Sequence, residues 1–265
     1  MAQAIHIPLT RSGIASTDAL GSAHRLQMKL VMFDMDGTLT DSFSLDENCY
    51  LLAIEQALGL PPVDLDWESI THASSAFWLQ EITRRARGTA PTAEEARSVQ
   101  LRLIAVMDEV TARTGRCTRE IPGAAACLRW LREHGYAIAI ASGDWELTAR
   151  HKLSRASIPC EQVPAAFCDL CHPRIEIMQT ALARATRHYG CAEFEQIIYV
   201  GDGVWDARAC RELGWPLIGV GTGAPAAQLR ALGVSPVIAN YQPIDGFIHA
   251  LEQAVPPGSR IRSLV

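Results

Sequence analysis

Short apolar runs recur along the chain, and they are separated by polar or amphipathic stretches. The clearest runs are Leu30–Phe33, Tyr136–Ala141, Gln196–Val200 and Pro216–Val220. They are too short to span a membrane, and continuous apolar runs of this length are typical of strands that are covered on both faces, as in a parallel sheet. Weaker runs within Ile158–Phe167 and Val234–Ala239 predict a short strand and an edge strand.

Between these runs, apolar residues recur at helical spacing. From Ile121 onward, helices alternate with the strands and are predicted over Ala124–His134, 145–153, 174–188, 206–213 and Ile244–Ala254. Before the second run, helices follow one another without a convincing strand, at Ser44–Leu58, within Trp67–Arg87, and from Ala93 to about Arg113. The alternation indicates an α/β fold with a parallel sheet, interrupted by a helical insert.

The same pattern divides the chain into three parts. Residues 1–27 form an N-terminal extension without the apolar core of a secretory signal; we expect it to be flexible or packed on the surface, and a transit peptide is the weaker alternative. Residues 28–42 and 118–265 form the predicted Rossmann-like core. Residues 43–117 form the helical insert.

Composition sets limits on location and partners. The 265 residues are 48% hydrophobic and 20% charged, as in an ordinary soluble globular protein. The net charge of −5 gives no sign of binding to nucleic acid or to an anionic membrane, because both favour a basic surface. Eight cysteines in a chain of this length are too sparse for a disulfide framework, so we expect reduced thiols and a cytoplasmic protein. The C-x-x-C-H pattern at Cys168–His172 would attach haem only in an exported protein, and no signal peptide is visible.

Two acidic residues stand directly after the first run. Asp34 and Asp36 end it, and Gly37 breaks the strand just beyond them, so both carboxylates can turn into one pocket. Carboxylates this close repel each other unless a cation lies between them or one is protonated. Mg²⁺ is the natural candidate, since it binds carboxylate and phosphate oxygens. One acid could be a nucleophile that forms an aspartyl-phosphate, and the other could transfer protons to and from the leaving oxygen.

Two later runs end at residues that suit the same chemistry. Ser142 and Gly143 follow the second run and precede a helix, so the hydroxyl and the N–H groups of the helix start can donate to a phosphate. Asp202 follows the third run, and Asp206 lies four residues later, one helical turn away. Ligands bind at the carboxyl edge of open α/β sheets, so we expect these groups to lie close to Asp34.

The sequence DMDGTLTDS at positions 34–42 resembles the first motif of the haloacid dehalogenase-like hydrolase superfamily, D-x-D-x-T/V, and three further motifs follow in the family order. The resemblance covers residues 30 to about 255. It implies a Rossmann-like core with an inserted helical cap of the C1 type, as in the phosphoglycolate phosphatase and beta-phosphoglucomutase group. It also implies that the helical insert closes over the pocket.

The resemblance also implies roles for particular residues. Asp34 matches the nucleophile and Asp36 the general acid and base of the family's phosphatases. Ser142, with Gly143 beside it, matches the position that binds the substrate phosphate. The side chains of Asp34 and Asp202 and the backbone carbonyl of Asp36 match ligands of Mg²⁺, and Asp206 matches a further ligand that binds either directly or through water.

The third motif departs from the family pattern. The family has a basic residue here, usually lysine, which balances the charge of the nucleophile and the phosphate, but this segment contains no lysine. His172 takes the place of that lysine, and Arg174 follows at the start of the predicted helix. We expect Arg174 to have the role, because arginine is always charged and binds phosphate in a bidentate way. His172 is the alternative.

Together these features predict a Mg²⁺-dependent phosphatase that acts on a small phosphorylated metabolite, as a monomer or homodimer. A phosphomutase of the beta-phosphoglucomutase type is the first alternative, since it shares the core motifs. A non-catalytic phosphate-binding module on the same fold is the second, although such a module has no need of all four acids. A phosphonate hydrolase would be expected to use a cap lysine, and residues 43–117 contain none.

Overall fold

The computed structural model describes residues 28–61, 74–169 and 173–259. The strands are β1 (Lys29–Phe33), β2 (Thr40–Asp41), β3 (Arg119–Glu120), β4 (Ala137–Ala141), β5 (Ala165–Ala166), β6 (Gln196–Gly201), β7 (Leu217–Val220) and β8 (Val237–Ile238). The helices are α1 (Phe43–Leu58), α2 (Ser75–Arg87), α3 (Ala93–Thr114), α4 (Ala124–Glu133), α5 (Glu146–Arg155), α6 (Arg174–Tyr189), α7 (Val204–Leu213), α8 (Gly223–Ala231) and α9 (Ile244–Gln253).

Within these residues, six parallel strands form one sheet in the order β5-β4-β1-β6-β7-β8. Strand β1 lies inside the sheet, where Met32 is aligned with Ala139 of β4 and Tyr199 of β6. Because every strand points the same way, the residues that follow β1, β4 and β6 meet at one edge. The predicted α/β fold with a parallel sheet is therefore confirmed.

Helices cover both faces of the sheet, which explains why its central strands are apolar throughout. Alternate side chains of a strand point to opposite faces. Val31 and Phe33 pack in one apolar cluster with residues of α4, α5 and α9, whereas Leu30 and Met32 belong to a second cluster with residues of α6, α7 and α8. Full burial of each such side chain contributes roughly 1.5–3 kcal/mol, so the two clusters fix the position of β1.

The segment between β2 and β3 is helical in its described part. Helices α1 and α3 pack together through buried side chains such as Ala53 and Leu103. The N-terminus of α3 is fixed by a reciprocal pair of hydrogen bonds, since Glu95 N donates to Thr92 Oγ1 over 3.1 Å and Thr92 N donates to Glu95 Oε2 over 2.8 Å. The helical insert predicted for 43–117 agrees with these elements, and its status as a separate domain stays a prediction.

Two features of the fold were not predicted from the sequence. Strands β2 and β3 have two residues each, which is too short for any periodicity to show. Helix α8 begins with the sequence GAP, and glycine and proline usually mark a turn, but proline is tolerated in the first turn of a helix because its missing N–H has no partner there. The N-terminal extension, residues 1–27, lies outside the described residues.

None of the helices in the described ranges is long and apolar enough to cross a membrane. The seven described cysteines are free thiols. Cys171 and His172 lie outside the described residues, so the alternative that gives His172 the role of the motif lysine stays a prediction.

Candidate active site

The predicted acidic residues meet at the carboxyl edge of the sheet. Asp34 follows β1, and its backbone N–H donates to Val200 O of β6 over 2.9 Å, so the end of the central strand is held in register. Asp202 follows β6, and Asp206 lies in the first turn of α7. One carboxylate oxygen from each of the three acids lies within 4.8 Å of the other two. The sequence-based expectation that these side chains converge is therefore met.

Hydrogen bonds and close packing orient two of these acids. Asp206 Oδ2 accepts from Gly203 N over 3.0 Å, and Asp202 Oδ1 accepts from Thr38 Oγ1 over 3.3 Å. Asp206 also lies against the backbone of Gly201, where an added Cβ would come within 2.5 Å of Oδ2. A residue without a side chain is therefore required at position 201.

The three acids are held in a poorly solvated place. Burial raises the pKa of Asp34, raises that of Asp202 well above its usual range, and raises that of Asp206 to about 7 against the opposing effect of Arg174. Asp206 Oδ1 is buried and has no hydrogen-bond partner among the described residues. Arg174 Nε lies 3.4 Å from this oxygen, but a buried carboxylate oxygen without a hydrogen bond is still costly. A hard cation bound by all three acids would reduce both this cost and the repulsion. The residues present therefore fit Mg²⁺.

Arg174 occupies the place expected from the sequence, at the first residue of α6. Its Nη1 donates to Asp34 Oδ1 over 2.9 Å and to Ala141 O over 3.1 Å, and its Nε lies 3.4 Å from Asp206 Oδ1. Burial by itself would lower the pKa of this guanidinium, but Asp34 and Asp206 raise it, so it stays charged. The site thus holds a permanent positive charge directly beside Asp34.

Asp36 faces a different set of partners. Its Oδ1 accepts from Thr40 Oγ1 over 3.1 Å and from Ser42 Oγ, and its Oδ2 accepts from Lys152 Nζ over 3.0 Å. Its side chain is 18% exposed, compared with 5% for Asp34. The Asp36 carboxylate therefore has its own set of donors and is more accessible than that of Asp34, which suits a group that exchanges protons.

Lys152 was not singled out in the sequence. It lies on α5, on the buried face that includes Thr148, Ala149 and Leu153. The sequence does set this residue apart, since only two of the 24 lysine and arginine residues are lysines, Lys29 and Lys152. Helical spacing places Lys152 where an apolar side chain is expected, and such a charge needs a buried partner.

Ser142 and Gly143 lie at the end of β4, as predicted. Ser142 N donates to Ala166 O over 3.0 Å, and Gly143 O accepts from Ser75 N of the insert over 2.8 Å. The expectation that the N–H groups of the following helix start are free for phosphate is wrong for two of them. Trp145 N donates to the Asp144 carboxylate, and Glu146 N donates to that of Asp169.

A surface groove of about 570 Å³ lies elsewhere, beside Met28, Tyr136 and Tyr189. Met28 and Tyr136 precede β1 and β4, so this groove is at the amino edge of the sheet, opposite the acids. It takes no part in the candidate site.

Comparisons with known proteins agree with this geometry. A model of the haloacid dehalogenase-like hydrolase family matches residues 28–214. No curated protein matches the chain.

Several solved structures are similar to this one. They include a hydrolase from Pseudomonas syringae (20% identity, 84% of this chain and 97% of that chain covered, TM-score 0.59). CbbY from Rhodobacter sphaeroides in complex with phosphate is also similar (18% identity, 82% and 96% covered, TM-score 0.60). So is a HAD hydrolase of family IA, variant 3, from Entamoeba histolytica (14% identity, 85% and 100% covered, TM-score 0.61). At these identities the likeness establishes a shared fold.

Proposed function

Since this chain belongs to the haloacid dehalogenase-like hydrolase family, we propose that it is a Mg²⁺-dependent phosphatase that hydrolyses the phosphate monoester of a small metabolite. The observation that carries the proposal is the division of the acids into two groups. Asp34, Asp202 and Asp206 share one cluster, in which Asp34 and Asp206 are buried and Asp202 is half-buried, whereas Asp36 faces other partners and is more exposed than Asp34. A nucleophile beside a cation and a separate proton carrier are what phosphoryl transfer through an acyl-phosphate needs.

Asp34, Asp202 and Asp206 would hold the Mg²⁺, together with the backbone carbonyl of Asp36. When bound, the ion neutralises charge on the acids and on the phosphate, so that an anionic nucleophile can approach an anionic substrate.

The residues of the chain supply the remaining steps. A carboxylate oxygen of Asp34 bonds to phosphorus as the ester bond breaks, and Asp36 gives its proton to the leaving oxygen. Asp36 then takes a proton from the water that attacks the aspartyl-phosphate, which releases inorganic phosphate and restores Asp34. Arg174 and Ser142, with Gly143, would hold the phosphoryl oxygens, because charge-assisted donors stabilise the charge that develops there.

The proposal is tested by phosphate release from a panel of sugar phosphates, phosphoglycolate, nucleotides and an aryl phosphate, with Mg²⁺ or with EDTA. We expect turnover by the wild type with Mg²⁺, and loss of turnover with EDTA and in Asp34→Asn. Asp41→Asn is the matched control, since Asp41 is an exposed acid seven residues later, in β2.

Folded wild-type protein that releases no phosphate from any compound would contradict a phosphatase. Conversion of a sugar monophosphate to its isomer, dependent on an added bisphosphate, would identify a phosphomutase instead. Binding of phosphate that Asp34→Asn leaves unchanged, without turnover, would identify a binding module.

A further inference from the structure

The ammonium group of Lys152 is buried between two carboxylates. Its side chain is 1% exposed, and Nζ lies 3.0 Å from Asp36 Oδ2 and 2.9 Å from Asp144 Oδ2. The family resemblance gave this position no role, so its contact with the proposed proton carrier calls for a separate explanation.

Asp144 is a rigid anchor for this ammonium group. Its Oδ1 accepts from Trp145 N over 2.7 Å, from Thr148 Oγ1 over 2.6 Å and from Ser75 Oγ of α2 over 3.1 Å. These donors come from the start of α5, from its first turn and from the helical insert. They fix the carboxylate in one rotation, and Oδ2 is then directed toward Lys152.

The partners of Asp36 differ in origin. Thr40 of β2 and Ser42, which donate to Oδ1, lie within six residues of Asp36 in the sequence. Lys152 donates to Oδ2 from a helix of the core, 116 residues later in the chain. The hydrogen bond from Lys152 therefore holds the Asp36 carboxyl group in a fixed orientation relative to α5 and the sheet.

We propose that Lys152 is a positioning residue that sets the orientation in which Asp36 gives its proton to the leaving oxygen. The inference rests on the proposed function, in which Asp36 is the proton donor. Asp144 holds Lys152, Lys152 holds Asp36, and the proton passes from Asp36 alone. Arg174 has a different task, because its ion pairs are to Asp34 and Asp206.

A purely structural role does not explain this lysine. Replacing a whole buried ion pair by apolar side chains of similar size is often neutral or stabilising, so the packing of α5 does not by itself require an ion pair between positions 144 and 152. A contact with Asp144 alone would also satisfy the charge. The second contact, to Asp36, is the one that links Lys152 to the chemistry.

The test compares two substrates of similar shape. Phenyl phosphate and 4-nitrophenyl phosphate differ mainly in the acidity of the leaving phenol, and the weakly acidic phenol depends far more on a proton donor. We expect Lys152→Met to lower kcat/KM for phenyl phosphate by roughly 10- to 100-fold, because the variant loses part of the rate enhancement that a general acid gives. For 4-nitrophenyl phosphate, we expect kcat/KM to fall by less than about threefold. In the Asp36→Asn background, Lys152→Met should change neither value by more than about twofold, because the group that it positions is gone.

Lys29→Met is the matched control and should leave both values unchanged, since Lys29 is the other lysine of the chain. Asp144→Asn keeps the lysine but weakens its anchor, and it should show the same selective loss if Lys152→Met does not fold. Equal losses on both substrates, or a further loss in the Asp36→Asn background, would overturn the role of Lys152. Failure of the proposed function would be seen separately, as a wild type that hydrolyses neither substrate or an Asp34→Asn variant that keeps its activity.

Discussion

The guanidinium of Arg174 donates from Nη1 to Oδ1 of Asp34 over 2.9 Å, which joins the first residue of α6 to the residue that follows the central strand. Arginine cannot lose its charge in this setting, so Asp34 has a permanent cation beside it even though burial disfavours its carboxylate. A phosphate that enters the site would share the same cation.

We expect Arg174→Met to lower kcat/KM for phosphate release by about 10- to 100-fold. A hydrogen bond to a charged group contributes roughly 1.5–3 kcal/mol, and each 1.4 kcal/mol corresponds to a factor of ten. Arg174→Lys should recover part of the loss, since it restores the charge without the planar fork. Arg187→Met, an exposed arginine of the same helix, is the control. Full activity of Arg174→Met would remove this residue from the site.

The stability of the metal-free protein should fall as the pH rises through about 7. The pKa of Asp206 is raised from its ordinary value of 3.8 to about 7 by burial. A carboxyl group that binds its proton more tightly in the folded state stabilises that state fully below its unfolded pKa, and this stabilisation is lost as the pH passes the folded pKa.

Mg²⁺ competes with that proton, so the rise in Tm on adding Mg²⁺ should be larger at about pH 8 than at about pH 6. Thermal melts with Mg²⁺ and with EDTA measure both effects. In Asp206→Asn, the rise in Tm caused by Mg²⁺ should differ less between pH 8 and pH 6 than it does in the wild type. A Mg²⁺ effect on Tm that is the same at both pH values would count against this account.

Gly201→Ala should weaken Mg²⁺ binding by roughly 10- to 100-fold, as is typical when the residues that orient metal ligands are changed. The new Cβ would lie 2.5 Å from Asp206 Oδ2 and 2.7 Å from its Cγ, so the acid must move out of the cluster. Isothermal titration with Mg²⁺ measures the change. Gly246→Ala in α9 is the control, since its Cβ meets no atom within 4 Å and should stabilise the helix by about 0.5–1 kcal/mol. An unchanged Mg²⁺ affinity in Gly201→Ala would show that Asp206 is free to shift.

Tyr50→Phe should lower the free energy of unfolding by about 1–2 kcal/mol. The Tyr50 hydroxyl donates to Ser75 O over 2.6 Å, and phenylalanine keeps the ring stacked on Trp145 but leaves that buried carbonyl without this donor. Urea denaturation gives the value. Tyr136→Phe serves as the reference, because the structure records no partner for its hydroxyl within the described residues. If the two variants are equally stable, the bond between α1 and α2 contributes nothing measurable.

Much of the candidate site could be predicted because strand ends are visible in sequence. Asp34, Ser142 and Asp202 each follow a continuous apolar run, and parallel pairing then brings the ends of those runs together. Arg174 could be predicted from its place before a helix, in spite of the missing lysine. These inferences need only the local sequence and the rule that ligands bind at the carboxyl edge of a parallel sheet.

Lys152 could not be reached by the same route. Its partners, Asp36 and Asp144, come from two different strand ends, and only the packing of α5 against the sheet brings all three together. The hydrogen bonds that occupy the N–H groups of Trp145 and Glu146 could not be predicted either. Asp169 reaches Glu146 from a loop 23 residues later, so tertiary contact rather than local pattern determines which donors are available.

The short ribbon of β2 and β3 has a consequence for how the molecule can be rebuilt. Thr40 is paired with Glu120 and Asp41 with Arg119, so the polypeptide departs from the sheet and returns to it at one spot. Because the two ends of this segment are already held together by the ribbon, its length adds little to the entropy cost of folding the core. The ribbon is thus a suitable position at which to join a different segment to the core. A different helical module with adjacent ends could be joined at this ribbon without changing the register of the acids at the sheet edge, but it would have to replace the contacts of Ser75 with Gly143 and Asp144.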